Sequence, residues 1–409
     1  MTMANSERAY WLAWSQIKGV GPILLKRLAQ HFELLENAWK ARPIALGEVE
    51  GFGHKLIDKI LEQRHKLDPF EFLEQHQQKN SQFLTPADPD YPQLLWEIPS
   101  PPPVLYYLGR LDGQESRGQI PGVGIVGTRY PTEHGSRWTR KISQALAKSG
   151  FTVISGLAAG IDADAHSSCL RANGRTIAVL GTGLDLVYPP QNRQLFEQIA
   201  AEGLILSEYP VGTKPERGNF PARNRIIAGL SRAILVMEAP PKSGALITAD
   251  YANDFNRDVF SLPNSPDIQE AHGCLHLLHK GAEVILSENQ LLASLGAIPL
   301  LDQSSDQANV NGRQHSPKSQ ESWQSQEYFS AATLASPHGN VTNKSFTEPP
   351  KDLDPKLKII LSAVQGESTA LDQIVSVTAL GIGEVSAGLL QLEIIGLISQ
   401  QPGMRYQRR

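Results

Sequence analysis

Seven short apolar segments between residues 123 and 286 constrain the fold of this chain more than any other feature. The segments consist largely of valine, isoleucine, leucine and alanine, and stretches long enough for helices or turns separate them. They comprise residues 123–127, 151–156, 176–181, 204–209, 233–239, 258–263 and 282–286. Strands that are apolar on both faces are typical of a parallel sheet covered by helices on both sides. Because crossovers between parallel strands are right-handed, the pattern predicts a Rossmann-like, doubly wound α/β core.

At 409 residues the chain is too long for one ordinary domain, and two smaller modules flank the predicted core. Residues 1–80 show the pattern of short amphipathic helices, which predicts a small all-helical domain. The core is assigned to residues 81–299, with a proline-rich extended lead-in and an edge strand at 104–108. Residues 300–352 are rich in serine, glutamine, asparagine and proline, which predicts a disordered linker. Residues 353–409 predict three helices and a terminal hairpin, the pattern of a winged helix.

Composition narrows the class of protein. The net charge is −4, and the two cysteines, Cys169 and Cys274, lie far apart and outside any metal-binding motif. No basic segment followed by an apolar run opens the chain, and no apolar stretch approaches the ~20 residues that a membrane helix needs. We therefore expect a soluble cytoplasmic protein without disulfides, bound metal or cofactor.

Glycine-containing turns recur where the predicted strands end. They are Gly127-Thr128-Arg129, Ser155-Gly156, Gly181-Thr182-Gly183 and Pro241-Lys242-Ser243-Gly244. Ligands of doubly wound sheets bind outside the carboxyl ends of the strands. Glycine allows the backbone to approach a ligand closely, and free N–H groups at helix starts suit phosphate. The repetition of such turns at four strand ends predicts a phosphate-binding edge.

The residues around this edge favour a nucleic acid over a nucleotide cofactor. The first strand is not followed by GxGxxG, and the chain contains no GxxxxGK[ST] loop, which disfavours nicotinamide and ATP enzymes. Residues 216–225 read ERGNFPARNR, in which Phe220 lies among arginines. An aromatic side chain between arginines is typical of sites for single-stranded nucleic acid. The alternative is that Phe220 belongs to the core and the arginines cap helices or pair with acids.

Several longer motifs together resemble the DNA-processing protein A family (DprA, also called Smf). They are GTRYPTEHG, SGLAAGIDADAH, TIAVLGTGLDLVYPPQN, LSEYPVG, FPARNRIIAGLS and SGALITADYA, and they cover roughly residues 90–287. The resemblance implies a Rossmann-like core that binds single-stranded DNA and forms homodimers. It also implies that the protein protects incoming strands during natural transformation and loads the RecA recombinase, without any catalytic step.

The resemblance carries twelve DNA-binding residues over by position. They are Gly127, Thr128, Arg129, Ser155, Gly156, Arg217, Phe220, Arg223, Asn224, Arg225, Ser243 and Gly244. The first three would make a phosphate contact, and Ser155 and Gly156 would present backbone donors to the same strand. Arg217 would supply charge and Phe220 a stacking face for a base. The three residues from Arg223 would shape the pocket, and the last two would close it.

Two acidic patterns within the core suggest other chemistry. Asp162, Asp164 and His166 are spaced i, i+2 and i+4, which does not bring three ligands to one helix face, so we expect no metal there. Asp250 stands where related phosphoribohydrolases carry a catalytic glutamate, although Leu246 and Ile247 replace the Gly-Thr of those enzymes. Nucleotide binding or N-glycoside hydrolysis is therefore the alternative function.

A repeated hxGhG pattern marks the N-terminal module. IKGVG (residues 17–21) and VEGFG (residues 49–53) are offset by 32 residues, and a helical pattern follows each. Such hairpins aim the first N–H groups of the next helix at a phosphate, and Lys26, Lys55 and Lys59 would assist. The alternative is a packing or dimerising module, comparable to the sterile-alpha-motif domain of DprA-like proteins.

The predicted winged helix also has two interpretations. Arg405, Arg408 and Arg409 would place positive charge on its wing, which favours DNA binding. Its third predicted helix is mostly apolar and carries Glu384 and Glu393, whereas recognition helices usually offer arginine, lysine, asparagine or glutamine to bases. A protein-contact role therefore stays open.

Overall fold

The computed structural model of the chain describes residues 3–297, 354–364, 369–378, 380–395, 397–401 and 405–408. The predicted linker, residues 300–352, lies outside the described residues. The chain divides into two compact units, Met1–Asn311 and Gly312–Arg409. Within the described ranges, no helix combines the length and the apolar character needed to traverse a lipid bilayer.

Among the described residues, six helices precede the sheet of the first unit. They are α1 (Met3–Ser15), α2 (Pro22–Phe32), α3 (Leu35–Lys40), α4 (Pro43–Gly47), α5 (His54–Arg64) and α6 (Pro69–Lys79). Trp14 on α1 is fully buried at their centre, and its indole N–H donates to the backbone carbonyl of Leu35 over 3.2 Å. This helical group has its own buried core.

The two hxGhG segments form hairpins that lead into α2 and α5. Gly19 and Gly51 adopt φ values of +99° and +93°, a left-handed conformation that glycine tolerates without strain. Each hairpin packs against the helix that follows the other. A β-carbon built on Gly19 would lie 2.8 Å from Leu56 Cδ1, and one built on Gly51 would lie 2.7 Å from Leu24 Cδ2. These reciprocal contacts support the packing interpretation of the repeat.

Lys26 joins the N-terminal helices to the segment that leads into β2. Its ammonium group donates to three backbone carbonyls at the end of α7 (Gln93–Glu97), over 2.8, 3.1 and 2.8 Å. The carbonyls are those of Trp96, Glu97 and Ile98. The phosphate-binding role predicted for Lys26 is therefore wrong, because its donors already satisfy a helix terminus. Lys55 and Lys59 are exposed on α5.

The described residues of the first unit contain nine strands in one sheet. The strands are β1 (Phe83–Leu84), β2 (Leu105–Gly109), β3 (Gly122–Val126), β4 (Thr152–Ser155), β5 (Thr176–Leu180), β6 (Leu204–Ser207), β7 (Ala233–Val236), β8 (Asp258–Ser261) and β9 (Glu283–Val284). Their order is β1-β2-β6-β5-β4-β3-β7-β8-β9. All seven strands predicted from apolar segments are present and parallel. The strand predicted at 104–108 is β2, which runs antiparallel to β6 and lies one position inside the edge because β1 pairs with its outer side.

Helices cover both faces of the sheet, so the predicted doubly wound core is confirmed. The remaining helices of the unit are α8 (Gly113–Ser116), α9 (Glu133–Lys148), α10 (Ile161–Arg171), α11 (Arg193–Glu202), α12 (Asn219–Leu230), α13 (Gly244–Asp254), α14 (His272–His279) and α15 (Glu288–Ala297). Successive strand residues enter opposite cores: Val153 belongs to a buried cluster with residues of α9, α10 and α15, whereas Ile154 belongs to one with residues of α12 and α13. The winding reverses between β3 and β7, which are neighbours in the sheet. That reversal creates a crevice at their carboxyl ends.

The second unit is a winged helix, as predicted. Its described elements are α16 (Pro355–Ala363), β10 (Thr369–Ala370), α17 (Leu371–Thr378), α18 (Ile382–Ile394), β11 (Ile398–Gln401) and β12 (Arg405–Arg408). The strands pair in the order β10-β12-β11, and Ile374, Val385 and Leu389 are fully buried beside them. Residues 402–404, between β11 and β12, and the last predicted wing residue, Arg409, lie outside the described residues.

Candidate functional site

An open cavity of about 590 Å³ lies at the crevice between β3 and β7. The loops after β3, β4, β5, β6 and β7 all contribute to its walls. Its lining includes Val126, Gly127, Thr128, Arg129, Tyr130, Ala158, Asp162, Tyr188, Arg217, Phe220, Pro221, Arg223, Asn224, Ile227, Ser243, Gly244, Ala245 and Thr248. Nine of the twelve residues that the sequence assigned to DNA binding are among them. Ser155, Gly156 and Arg225 are not.

The glycine after β3 is required by packing. A β-carbon on Gly127 would lie 2.5 Å from Ile161 Cγ1, at the start of α10. Thr128 continues the tight turn, since its N–H donates to the Glu238 carbonyl over 2.7 Å and its carbonyl accepts from Ile161 N. The Thr128 amide is therefore unavailable to a ligand. Arg129, the next residue, is exposed, so the contact predicted for this turn rests on its guanidinium.

An aromatic pair lies beside Arg129 at the mouth of the cavity. The Arg129 guanidinium carbon lies 5.9 Å from the centroid of the Phe220 ring. The Tyr188 ring centroid lies 5.4 Å from that of Phe220, at an interplanar angle of 40°. Phe220 is half-buried and belongs to none of the buried clusters that the described residues form. This position argues against the interpretation of Phe220 as a core residue.

Gly181 provides the support on which Phe220 rests. A β-carbon at Gly181 would lie 2.9 Å from Phe220 Cδ1. The glycine that ends β5 thus leaves space for the ring, and any larger residue would push it outward. Arg217 stands on the exposed loop before α12 and lines the same cavity. Two exposed cations and two aromatic rings therefore surround one opening.

Arg223 lies beneath the cavity and braces it. It is 4% exposed, and its Nη1 donates to the carbonyls of Gly156 over 2.8 Å and of Val179. The guanidinium thus ties the end of β4 to β5. Burial lowers the pKa of Arg223 to about 10, and the nearby Asp162 carboxylate opposes that fall. Arg223 remains charged at neutral pH, but most of its surface faces the protein.

Arg225 is a structural residue outside the cavity. Its guanidinium pairs with the Glu208 carboxylate, at 2.8 Å between Nη1 and Oε2, and its Nε donates to the Ser100 carbonyl over 3.1 Å. These contacts fix the loop after β6 and the lead-in to β2 against α12. The role in the pocket predicted for Arg225 is thus indirect.

Ser155 and Gly156 shape the cavity from behind. The Ser155 hydroxyl donates to the Ile125 carbonyl over 2.6 Å, and Ser155 is fully buried. The Gly156 N–H donates to Asp162 Oδ2 over 3.1 Å. The predicted role of Gly156 as a backbone donor to DNA is wrong for this structure, because its N–H already has an acceptor.

The start of α13 forms another part of the cavity wall. Ser243 caps the helix, since its Oγ accepts from Ala245 N over 3.3 Å. The Asn224 side-chain amide donates to the Gly244 carbonyl over 3.1 Å, which joins α12 to α13. Nothing lies within 4 Å of a β-carbon built on Gly244, so the backbone here is open. These three residues line the cavity.

The acidic residues of α10 serve the fold. Asp162 is 6% exposed and also accepts from Ala158 N over 3.3 Å; burial raises the pKa of its carboxyl. Asp164 lies 3.7 Å from Arg140 Nη1. His166 is fully buried, and its Nδ1 lies 2.7 Å from the Thr176 hydroxyl. The three side chains have separate partners, and the described residues contain no group of three His, Cys, Asp or Glu suited to a metal.

Asp250, on which the alternative hydrolase function depended, does not reach the cavity. It is exposed on α13, whereas Gly244, Ala245 and Thr248 of the same helix line the site. Two residues after Thr248, the helix has turned by about 200°, so Asp250 faces away.

Four polar or aromatic residues that line the cavity were not identified from the sequence as part of the site. They are Tyr130, Asp162, Tyr188 and Thr248. Tyr130 is 86% exposed. It directly follows Arg129 in the turn after β3, and this position beside a predicted site residue was a signal in the sequence. Tyr188 lies far from Phe220 in sequence, and no local pattern reveals its contact with that ring.

Comparison with known proteins agrees with the fold and the motifs. The chain matches the family model for DNA recombination-mediator protein A over residues 82–296 and that for the DprA winged helix domain over residues 344–404. It is 80% identical over 408 residues to Protein Smf of Synechocystis sp., covering 100% of both chains. It is 43% identical over 206 residues to DNA processing protein DprA of Streptococcus pneumoniae, covering 50% of this chain and 71% of that protein.

Comparison with a solved structure indicates the same family. The X-ray structure of DprA from Streptococcus pneumoniae superimposes with a TM-score of 0.59 at 36% sequence identity, covering 69% of this chain and 95% of that chain. Two family models match the core and the winged helix, and one relative matches over 408 residues. Together these matches identify the family. The chain belongs to the DprA/Smf family.

Proposed function

We propose that this protein binds single-stranded DNA across the carboxyl edge of its sheet, over the cavity between β3 and β7. The observation that carries the proposal is the grouping of Arg129, Arg217, Phe220 and Tyr188 around one opening. Single strands require positive charge for their phosphates and aromatic faces for their bases, and this opening offers both.

The position of Phe220 favours single strands over duplexes. The ring is half-buried on Gly181, so a base must leave its own stack to reach it. Bases of a duplex are paired and stacked, and extruding one costs a few kcal/mol. A single strand avoids most of this cost. The preference for single strands over duplexes should therefore appear in the equilibrium affinity, and it should not depend on the base sequence.

Family membership supports the wider role. The Streptococcus pneumoniae relative is named a DNA processing protein. We infer that this protein likewise acts in the cytoplasm on incoming DNA, which it protects during natural transformation and recombination. It does so as a homodimer that loads RecA onto the strand, and it catalyses no reaction itself.

A mobility-shift assay tests the binding proposal. Oligo-dT and a matched duplex are titrated at two ionic strengths. We expect the single strand to bind more tightly, and its affinity to fall with salt by a log–log slope of about −0.7 per phosphate neutralised. Failure to bind oligo-dT at low ionic strength, or a consistent preference for the duplex, would refute the proposal.

RecA loading and dimerisation have separate readouts. RecA hydrolyses ATP when it assembles on DNA, so a shorter lag in strand-dependent hydrolysis on strand precoated with this protein would support loading. An unchanged lag with intact strand binding would reject loading and leave DNA binding in place. Sedimentation of the free protein at several concentrations measures the dimer.

A further inference from the structure

Thr248 has a buried hydroxyl group in the cavity wall that makes no hydrogen bond to the part of the chain that the structure describes. It is 1% exposed and lines the cavity from the second turn of α13. Its Oγ1 makes no hydrogen bond to any described residue. Buried polar groups are nearly always hydrogen-bonded, because an unsatisfied hydroxyl costs about 1–3 kcal/mol.

Two other buried hydroxyl groups on a helix of this protein donate to backbone carbonyls of their own helix. A threonine within a helix commonly donates to the carbonyl four residues earlier. Thr139 donates to the Gly135 carbonyl over 2.7 Å, and Ser143 donates to the Thr139 carbonyl over 2.7 Å. The corresponding acceptor for Thr248 is the Gly244 carbonyl, which accepts from Asn224 instead. The Thr248 hydroxyl is thereby left for another acceptor.

The hydrogen-bond donors around Thr248 favour an anionic ligand. Thr248 lies one helical turn after Gly244 on the same face of α13, and helical side chains tilt towards the N-terminus. The Gly244 N–H makes no hydrogen bond to the part of the chain that the structure describes, and it stands at the positive end of an 11-residue helix. Arg223 Nε is a further buried donor in this wall without a described partner.

The net positive charge of the residues that line the cavity also favours an anionic ligand. Three arginines line it, and among its described lining residues Asp162 is the one acid. The Asp162 carboxylate already accepts from the N–H groups of Gly156 and Ala158. The lining therefore carries more positive than negative charge, and its acid is already hydrogen-bonded within the protein, which favours an anionic ligand.

We propose that the inner wall of the cavity is a phosphate subsite for one phosphodiester of the bound strand. The Thr248 hydroxyl donates to one phosphate oxygen, and the Gly244 N–H donates to another. This inference rests on the proposed function, since the phosphate belongs to the single strand. It assigns Thr248 a role in positioning the strand that sequence reasoning did not find.

The test compares Thr248→Val with Thr248→Ser in the full chain. Valine keeps the shape of threonine without the hydroxyl, and serine keeps the hydroxyl. Hydrogen bonds to charged groups are worth enough that we expect Thr248→Val to weaken oligo-dT binding by roughly ten-fold or more. Thr248→Ser should stay close to wild type. The thermal midpoint of Thr248→Val should equal or exceed that of wild type, because no internal hydrogen bond is lost.

Thr139→Val is the matched control. It removes a buried hydroxyl that has an internal acceptor, so it should lower the thermal midpoint and leave oligo-dT affinity unchanged. The opposite responses of the two valine variants separate ligand binding from stability. A Thr248→Val variant that binds oligo-dT like wild type would overturn the subsite, and so would one that loses stability as Thr139→Val does.

An abasic deoxyribose-phosphate strand identifies the group that Thr248 contacts. A phosphate contact predicts that Thr248→Val weakens binding of the abasic strand and of oligo-dT by the same factor. A loss confined to oligo-dT would mean that the hydroxyl contacts a base, and would reject the phosphate assignment. If wild-type protein binds neither strand, the proposed function fails before the subsite is tested.

Discussion

Replacing Phe220 by leucine tests base stacking most directly. Leucine retains apolar contact with Gly181 and Tyr188 but removes the ring that would face a base. Stacking on an aromatic side chain is worth about 1–3 kcal/mol per base, so we expect oligo-dT affinity to fall roughly 5- to 150-fold. The fold should tolerate the change, because Phe220 is half-buried, lies outside the buried clusters of the described residues and is replaced by another apolar side chain. Fluorescence anisotropy with labelled oligo-dT measures the affinity, and thermal melting measures the stability.

Two further measurements determine whether the loss comes from stacking. An abasic strand offers no base, so wild type and Phe220→Leu should bind it equally well. The salt dependence of oligo-dT binding should be unchanged, because no charge is removed. A loss of equal size on the abasic strand would refute the reasoning, since it would show that the ring acts by holding Arg129 in place, 5.9 Å from its centroid.

Three other substitutions test the rest of the site and its support. Arg129→Ala should weaken binding across all sequences and make the log–log salt slope shallower by about 0.7, as salt titration would show. Gly127→Ala should destabilise the fold by about 1–3 kcal/mol in a denaturant titration, because the new β-carbon would lie 2.5 Å from Ile161 Cγ1. Burial lowers the pKa of His166 to about 3, so between pH 6.5 and 3 the unfolded chain binds a proton that the folded protein does not. The free energy of unfolding should therefore decrease as the pH is lowered through that range, by at most about 1.4 kcal/mol per pH unit. His166→Gln should make this pH dependence weaker in thermal melts at several pH values.

The parallel strands could be predicted because their sequence requirement is local. A strand buried on both faces is apolar at nearly every position, as in residues 123–127 and 233–239, and helix-length intervals follow from the crossovers. The position of β2 could not be predicted in the same way. Whether it lies at the edge depends on the two-residue strand Phe83–Leu84, which is too short to leave a periodic pattern. The winged helix followed from helical periodicity and the terminal hairpin.

The site was predicted in outline, but not in the role of each residue. The turns after the strands indicated the edge of the sheet where the cavity lies, because parallel strands all end on the same side. The sequence does not distinguish an arginine that contacts a ligand from one that braces a loop. Arg223 and Arg225 lie two residues apart in one motif, yet one holds the Gly156 carbonyl and the other pairs with Glu208. Tyr188 was missed because only the folded chain brings it to Phe220.

The arginines of the site divide into two structural roles, and this division limits how the protein can hold DNA. Arg223 and Arg225 are buried, and Arg223 Nη1 and the Arg225 guanidinium bind carbonyls and a carboxylate, so these contacts fix the cavity's shape. Arg129 and Arg217 are exposed, and they alone among the lining arginines can follow a moving phosphate. In the proposed complex, these two arginines supply mobile charge to the phosphates. Short-range groups that are already in place before binding, namely aromatic faces, helix-terminal N–H groups and a hydroxyl, must supply the remainder. Such a surface favours an unpaired strand, whose flexible backbone can bring each phosphate and base to a fixed partner.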